Sequence, residues 1–237
     1  MHRDIMNPEQ KSPDTHLAEN THGATPDLVC LGYDELSADC MTELAAVTQA
    51  AFAEYKQANI NFRGVNMTAE TLLASMAASK ETVFFMRVGG SIVAYCRGYM
   101  ARENGVMCLH CETMAVLPSC RGHGYARKVA SALEQWGLAL GAEYAMLDTS
   151  VFAHKALRFH RLRGYKPWYY RHYHQRTYIS IHMRKDFGKP CPAYKRMARL
   201  WYSYLRVRLW HTRKGERTPA CKMRDLLARF MRRLRRR

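Results

Sequence analysis

The stretch CRGHGYARKVASAL, residues 120–133, places two glycines one residue apart where a strand-like run, ended by Pro118, gives way to a helix-like run. Glycine has no side chain, so its amide can approach a ligand closely. The first turn of a helix, here beginning at about Gly124, has unpaired N–H groups and the positive end of the helix dipole. The stretch therefore predicts a cradle for an anion such as a phosphate or pyrophosphate, with Arg121 adding a cation at its mouth.

The short string has a second explanation, a tight strand-to-helix turn that needs glycine only for its backbone. No Gly-Lys-Ser/Thr follows it, as in the phosphate-binding loop, and its spacing differs from the GxGxxG of a dinucleotide-binding turn. Both explanations are compatible with the string alone, so the surrounding elements have to separate them.

Strand and helix patterns alternate from about Asp27 to Phe187. Runs rich in β-branched and aromatic residues predict strands at 27–33, in a hairpin over 82–100, at 106–117 and 142–152, and in an aromatic hairpin over 165–187. Apolar residues at helical spacing predict helices at 38–56, 68–78, 124–140 and 154–163. This order, β-α-α-β-β-β-α-β-α-β-β, predicts an α/β (α+β) fold in which a mixed sheet has helices on both faces.

Charge is distributed unevenly along the 237 residues. The formal net charge is +17, and residues 189–237 alone contribute +15 of it. Residues 1–26 are polar, contain prolines and lack periodicity, which predicts a disordered leader. We therefore divide the chain into this leader, a domain over 27–187 and a basic amphipathic helical tail over 188–237, so the basic charge says little about the chemistry of the domain.

Neither an export signal nor a stretch apolar enough to span a membrane is visible, and eight cysteines are scattered without the rhythm of a disulfide scaffold. These features predict a cytoplasmic protein with reduced thiols. Cys108 and Cys111 form one CxxC pair, but no second pair stands at ligand spacing. Buried strand cysteines are therefore favoured over a zinc site, and no metal is expected.

The run MAVLPSCRGHGYARKV, residues 114–129, resembles the acyl-CoA-binding motif of the GNAT superfamily, the Gcn5-related N-acetyltransferases. The family pattern, Arg/Gln-x-x-Gly-x-Gly/Ala, is filled here by Arg121, Gly124 and Ala126. The Val-x-Pro that precedes the family motif corresponds to Val116 and Pro118.

A second landmark follows at about forty residues' distance. The run HKALRFHRLRGYKPW, residues 154–168, resembles the family's Ala-x-x-x-Tyr-x-x-x-Gly-Phe helix through Ala156, Gly164 and Tyr165. The two landmarks have the family's order and spacing, with a strand between them, and the resemblance covers about residues 27–187.

The resemblance implies a GNAT-like mixed, mostly antiparallel sheet flanked by helices, with acetyl-CoA as the co-substrate. The amides of the glycine turn would hold its pyrophosphate, and the strand before the turn would pair with its pantetheine arm. A splay between that strand and the strand at 145–151 would admit the arm. The residues implied to bind acetyl-CoA are Met114, Ala115, Val116, Arg121, Gly122, His123, Gly124, Tyr125 and Ala126.

The implied reaction is direct transfer of the acetyl group to an amine, with a backbone amide near Val116 polarising the carbonyl oxygen. A base has to take a proton from the ammonium, because only the free amine attacks. Strand alternation predicts Cys108, His110, Glu112 and Met114 on one face. The family often has an acidic residue four positions before the valine, so Glu112 is the first choice for the base and His110 the second. The alternative for Glu112 is a structural carboxylate paired with a basic side chain.

The acid that would protonate the leaving thiolate is where this sequence departs from the family. The usual Tyr position holds His160, and the frequent Asn position holds Ala153. His160 could donate a proton in place of the Tyr, or it could be a histidine packed in the helix.

The acceptor implied by the resemblance is an amine of a small molecule or of a peptide or protein. The segment PWYYRHYHQRTYIS, residues 167–180, supplies aromatic residues that could line a pocket for a cationic amine, although ordinary enrichment of a β-hairpin is favoured. These aromatics are Trp168, Tyr169, Tyr170, Tyr173 and Tyr178.

Two segments of the tail have apolar residues at helical spacing among many arginines. The first stripe is Met197, Trp201, Leu205 and Leu209, and the second is Met223, Leu226, Leu227, Phe230, Met231 and Leu234. Such helices suit an anionic membrane surface, which would make the protein peripheral at the inner membrane face. Nucleic acid is one alternative partner, and docking on the enzyme core or in a homodimer is another.

Two functions from different classes remain at this point. The first is a cytoplasmic N-acetyltransferase. The second is a binding module in which a degenerate acyltransferase fold presents the basic tail, and the departures at Ala153 and His160 keep it open.

Overall fold

The computed structural model describes residues 25–58, 60–174, 176–188 and 190–213, except for the side chains of 209–213. The predicted leader up to residue 24 and the second tail stripe lie outside the described residues. The chain divides into two compact units, Met1–Ala142 and Glu143–Arg237. The domain limits expected from the sequence stay predictions.

The first unit contains an antiparallel meander of four strands, each paired with its neighbour in sequence. Its elements are β1 (Asp27–Gly32), α1 (Ala38–Gln57), α2 (Ala69–Ser79), β2 (Thr82–Val88), β3 (Ser91–Glu103), β4 (Val106–Val116) and α3 (Tyr125–Ala139).

The second unit contains three strands, and its middle strand pairs antiparallel with both others. Its elements are β5 (Tyr144–Ser150), α4 (His154–Leu162), β6 (Lys166–His172), β7 (Ile179–Asp186) and α5 (Ala193–Arg213). All the strands and helices predicted for residues 27–187 are present with small differences at their ends. The α+β class and the mostly antiparallel pairing are confirmed.

Side-chain hydroxyls fix where the first two helices begin. The Ser37 Oγ accepts a hydrogen bond from the Cys40 amide at 3.2 Å, and the Thr68 Oγ1 accepts one from the Thr71 amide at 3.2 Å. These bonds satisfy amides that the helix itself leaves unpaired. The helix start predicted at Thr68 is therefore confirmed as an N-cap.

Helices lie on both faces of the sheet in the first unit. On one face Tyr95 of β3 is hydrogen-bonded to Thr48 of α1, and on the other the ring of Phe84 in β2 meets Trp136 of α3. Phe84 pairs with Cys96, whose side chain points opposite to that of its neighbour Tyr95. Tyr95 is fully buried, and this burial raises its pKa to about 12.

Strand β4 contains a bulge that breaks its alternation. Cys96 pairs with Met114 and Gly98 with Cys111, so Glu112 and Thr113 both lie opposite Arg97. One extra residue reverses the facing of everything beyond it. The expectation that Met114 shares a face with Cys108 and His110 is therefore wrong, because strict alternation does not hold across residues 112–113.

Helix α5, the first part of the basic tail, packs on strand β6 in the second unit. Its Ser203 Oγ accepts a hydrogen bond from the Tyr170 amide at 3.0 Å, and Tyr204 and Val207 are buried. Met197 and Trp201 of the predicted stripe are exposed instead. These two residues are therefore not part of the face that packs on β6, as the alternative of docking on the enzyme core would require. The membrane-surface interpretation of the stripe stays a prediction.

None of the helices in the described ranges is both long enough and apolar enough to cross a membrane.

Candidate active site

The glycine turn between β4 and α3 is open in front of its backbone. Gly122 and Gly124 both have a positive φ, 88° and 80°, which non-glycine residues rarely adopt. A Cβ placed on either residue would meet nothing within 4 Å. Gly124 is the N-cap of α3, and no side chain caps the helix.

The amides of this turn point away from protein acceptors. Cys120 and Arg121 donate their amides back to the carbonyls of Leu117 and Pro118 and so form a short helical turn just before the glycines. Within the described part of the chain, the amides of residues 122–126 have no hydrogen bond to the protein. Open N–H groups at a helix N-terminus suit an anion. The anion site expected at this turn from the sequence stays a prediction.

Arg121 contributes differently from the expectation. Its guanidinium donates to the Ala51 carbonyl at 3.0 Å and lies 3.1 Å from a Glu54 carboxylate oxygen, both on α1. The side chain therefore ties the turn to α1, and the cation predicted at the mouth is already paired. Because the Arg121 side chain is paired with α1, a ligand at the turn would meet the backbone amides.

His123 and Tyr125 are stacked side by side at the turn, with ring centroids 5.8 Å apart. The His123 Nδ1 lies 3.3 Å from the Cys120 carbonyl oxygen. His123 is exposed.

The two candidate bases of β4 have different surroundings. Glu112 is exposed and sits in the bulge. The His110 ring is stacked on Tyr99 at 4.9 Å, and its Nε2 lies 3.0 Å from an oxygen of Glu103. Burial, with nearby carboxylates including Glu112, raises the pKa of Tyr99 to about 12. Sequence reasoning missed Glu103 and Tyr99, because only the pairing of β3 with β4 brings them to His110.

Arg97 is hydrogen-bonded to the bulge of β4. Its Nη2 donates to Thr113 Oγ1 at 3.1 Å, and its Nη1 donates to Glu81 and lies 3.4 Å from Ser75 Oγ. Arg97 and Glu81 are both buried, with 4% and 2% of their side chains exposed. Burial raises the pKa of Glu81, and Arg97 partly offsets this rise. No motif in the sequence pointed to Arg97, which looked like an ordinary strand residue.

Three potential metal ligands lie near one another at the end of the β3–β4 hairpin. Glu103, Cys108 and His110 offer atoms within 4.8 Å of one another. Each already has a protein partner, since Glu103 pairs with His110 and the Cys108 thiol donates to the Ala101 carbonyl at 3.4 Å. Cys108 pairs with Ala101 and Cys111 with Gly98, so the two cysteine side chains lie on opposite faces of the sheet. The CxxC therefore does not form a chelating pair.

His160, the candidate acid, is packed in the second unit. Its ring meets the rings of Phe159 and Tyr165 at 5.3 and 5.6 Å. Burial, and then the nearby Arg163, lower its pKa to about 4. The ring is therefore uncharged at pH 7, and only a neutral imidazole N–H, which is a weak acid, is left to serve a leaving group.

Replacing His160 with Gln is expected to flatten the pH dependence of stability. The folded ring resists protonation down to about pH 4, whereas the unfolded ring takes up a proton near pH 6.5. Stability is therefore full above pH 6.5 and falls as the pH drops, by about 2 kcal/mol between pH 7 and pH 4.5. Urea unfolding at both pH values measures the loss. His154→Gln, at an exposed position of the same helix, is the control, and an unchanged loss in His160→Gln would contradict the assignment.

Some aromatic side chains of the hairpin over 165–187 are buried in the core, and others contact His182. Trp168 and Tyr178 are buried, as expected for a packed hairpin. Tyr169 stacks on His182 at 4.1 Å, and the Tyr173 hydroxyl lies 3.2 Å from His182 Nε2. Packing within the unit therefore accounts for these four rings, which is the interpretation the sequence favoured.

A family model described as the acetyltransferase (GNAT) family matches residues 47–165, which is 119 of the 237 residues. The matched region includes the strand, the glycine turn and the second landmark. A search of curated protein sequences found no match.

Solved structures with the same fold include several acetyltransferases. The PaiA N-acetyltransferase of Thermoplasma acidophilum, in complex with coenzyme A, is 12% identical, with a TM-score of 0.52 over 68% of this chain and 99% of its own. The ribosomal-protein-S18-alanine N-acetyltransferase of Escherichia coli is 14% identical, with a TM-score of 0.53 over 70% and 98%. YncA, a putative acetyltransferase of Salmonella typhimurium with acetyl-CoA, is 13% identical, with a TM-score of 0.52 over 70% and 96%. At these identities the similarity shows the fold alone.

Proposed function

The chain belongs to the acetyltransferase (GNAT) family, and on that premise we propose that it transfers an acetyl group from acetyl-CoA to an amine. The observation that carries the proposal is the row of unpaired amides in the glycine turn, open to solvent at the N-terminus of α3. A diphosphate is the anion that such a row accommodates best in this family.

The residues proposed to hold acetyl-CoA form a continuous path. The unpaired amides of residues 122–126 receive the pyrophosphate, and the backbone of residues 114–116 pairs with the pantetheine arm. Acetyl-CoA supplies the activated thioester. Arg121 acts as a positioning residue, because its contacts with Ala51 and Glu54 hold the turn against α1.

Glu112 is proposed to prepare the nucleophile. Its carboxylate, exposed in the bulge of β4, takes a proton from the ammonium of the acceptor. The amine nitrogen then bonds to the acetyl carbon, the C–S bond breaks, and CoA leaves as the thiolate. The nitrogen gives up its second proton, which leaves a neutral amide, and the thiolate takes up a proton to become the free thiol of CoA. The amide near Val116 polarises the acetyl oxygen. His110, oriented by Glu103, is the second candidate for the base.

The acceptor is proposed to be a primary amine of a small molecule or of a peptide. A thiolate is a fair leaving group, so the reaction does not depend on a strong acid. The uncharged state of His160 is therefore compatible with turnover.

Release of free thiol from acetyl-CoA tests the function directly. Wild-type protein is expected to release thiol in the presence of at least one member of a panel of amines and peptides. Glu112→Gln is expected to lower kcat about 100-fold, because general-base catalysis typically contributes 10²–10⁴-fold. Its affinity for CoA should stay within about twofold, because residue 112 lies outside the predicted phosphate turn.

His110→Gln is the matched control, since it removes the other candidate base on the same strand. A normal rate for Glu112→Gln across the pH range, with a large loss for His110→Gln, would move the base to His110. The binding-module alternative would be favoured if acetyl-CoA neither raised the melting temperature nor lost its acetyl group to any acceptor.

A further inference from the structure

Helix α5 has a second apolar face besides the one that docks on β6. Its docked residues are Ser203, Tyr204 and Val207. Large apolar and aromatic side chains stand elsewhere on the helix with 45–71% of their surface exposed, namely Tyr194, Met197, Trp201 and Tyr202. Successive residues of a helix are turned by about 100°. Tyr194, Trp201 and Tyr202 therefore point more than about 100° away from the centre of the docked face, and Met197 lies at the edge of that face. We call this set the outward face.

The charged residues of the segment that carries the outward face are all positive. Residues 190–213 contain six Lys and Arg and no Asp or Glu. Lys195 and Arg206 are exposed and lie beside Tyr202 on the helix, and the Arg206 guanidinium stands 6.0 Å from the Tyr202 ring. An occupant of this face therefore has to offer negative charge as well as an apolar environment.

The rest of the tail is a poor occupant. Residues 214–237 contain ten Lys and Arg and two acidic residues, so their net charge is +8. Two segments of the same sign repel one another, and both gain from the same anionic partner.

We propose that the outward face of α5 binds an anionic lipid surface. Tyr and Trp suit the boundary between headgroups and acyl chains, because each has an apolar ring and a polar tip. Arginine and lysine beside them pair with acidic headgroups, at roughly 1 kcal/mol for each cation near the surface. Docking on β6 holds the helix with this face outward, so it does not have to fold on binding.

The geometry suits a helix that lies along the surface. Its 21 residues span about 30 Å. The cations among residues 190–213 prevent it from spanning the bilayer, whereas a helix with separate apolar and basic sides lies in the interface.

Vesicle sedimentation with the full-length protein tests the proposal. Wild-type protein is expected to sediment with vesicles of phosphatidylcholine containing about 30% phosphatidylglycerol and to stay in solution with phosphatidylcholine alone. Trp201→Ser/Tyr202→Ser is expected to weaken binding to the anionic vesicles about tenfold, because it removes the two rings that enter the interface.

Leu138→Ser/Leu140→Ser is the matched control. It removes two apolar side chains of similar exposure from the end of α3, at 53% and 52%, and should leave vesicle binding unchanged. The charge variant Lys195→Glu/Arg206→Glu leaves the rings in place, so it tests the face even where the ring variant folds poorly. It is expected to weaken binding about tenfold or more and to reduce its dependence on salt.

Three outcomes would overturn the proposal. The first is vesicle binding by both variants that equals that of the wild type. The second is unchanged vesicle binding combined with lost affinity for a short RNA duplex, which would assign the face to nucleic acid. The third is unchanged vesicle binding combined with a change from dimer to monomer by light scattering, which would assign the face to a second copy of the chain.

Discussion

Gly124→Asp is expected to weaken the binding of CoA about 100-fold or more while leaving the protein folded. The new carboxylate would stand in the open space before the turn amides, where a Cβ meets nothing within 4 Å. Two like charges about 4 Å apart near a protein surface repel by roughly 4 kcal/mol, which exceeds the energy of a hundredfold change. The backbone cost is small, because Asp is among the residues that tolerate a positive φ.

The chain provides a matched control for this substitution. Gly141 also has a positive φ, 83°, and open space at its Cβ position, but it lies beyond the C-terminal end of α3. Gly141→Asp introduces the same charge and the same backbone strain without approaching the turn. Isothermal titration with CoA should therefore separate the two variants, and thermal unfolding should not. Equal affinities in the two variants would show that the pyrophosphate does not bind at the turn.

Arg97→Met is expected to reduce the free energy of unfolding by about 3–5 kcal/mol, because it leaves Glu81 charged and buried without its partner. The loss of the hydrogen bond to Thr113 also frees the bulge that carries Glu112. Urea unfolding at pH 7 measures the change. Arg87→Met is the control, because the Arg87–Glu43 pair is partly exposed at 3.4 Å and such pairs contribute about 1 kcal/mol or less.

The buried pair also predicts a pH dependence with a definite sign. Burial raises the pKa of Glu81, and Arg97 is the charge that opposes this rise. Without Arg97 the folded state favours the protonated acid, so its stability is greatest below the unfolded pKa and falls as the pH rises. The difference in the free energy of unfolding between Arg97→Met and the wild type should therefore become smaller as the pH is lowered from 8 to 5.

The double variant Arg97→Met/Glu81→Met removes both charges. It is expected to recover most of the lost stability, because replacing a whole buried pair with apolar side chains is often close to neutral. A gap that does not change with pH, together with no recovery in the double variant, would contradict the assignment of the loss to an unpaired carboxylate.

Local signals were enough to predict the elements and the open glycine turn. The glycines at 122 and 124 need no distant partner to form such a turn, because a positive φ and a bare amide are properties of the residue itself. Thr68 indicated a helix start in the same way, because its hydrogen bond joins residues only three positions apart in sequence. Where a signal and its effect lie within a few residues, one sequence is sufficient.

The surroundings of the candidate base were decided by pairing between strands. The bulge at Glu112 and Thr113 exists only in the register of β4 against β3, and it moves Met114 to the opposite face from His110. Glu103 meets His110 through the same pairing, and Arg121 meets Glu54 across 67 positions of sequence. Periodicity counts residues along one segment and carries no information about a partner strand.

Helix α5 shows the same division within one element. Its basic and amphipathic character can be read from composition and spacing, because both are properties of a single segment. Which of its apolar sides is buried depends on the shape of strand β6, and there Ser203, Tyr204 and Val207 were selected while Trp201 stayed exposed. The physical reason is that a helix with two apolar sides gains similar energy from burying either, so the surface it meets makes the choice.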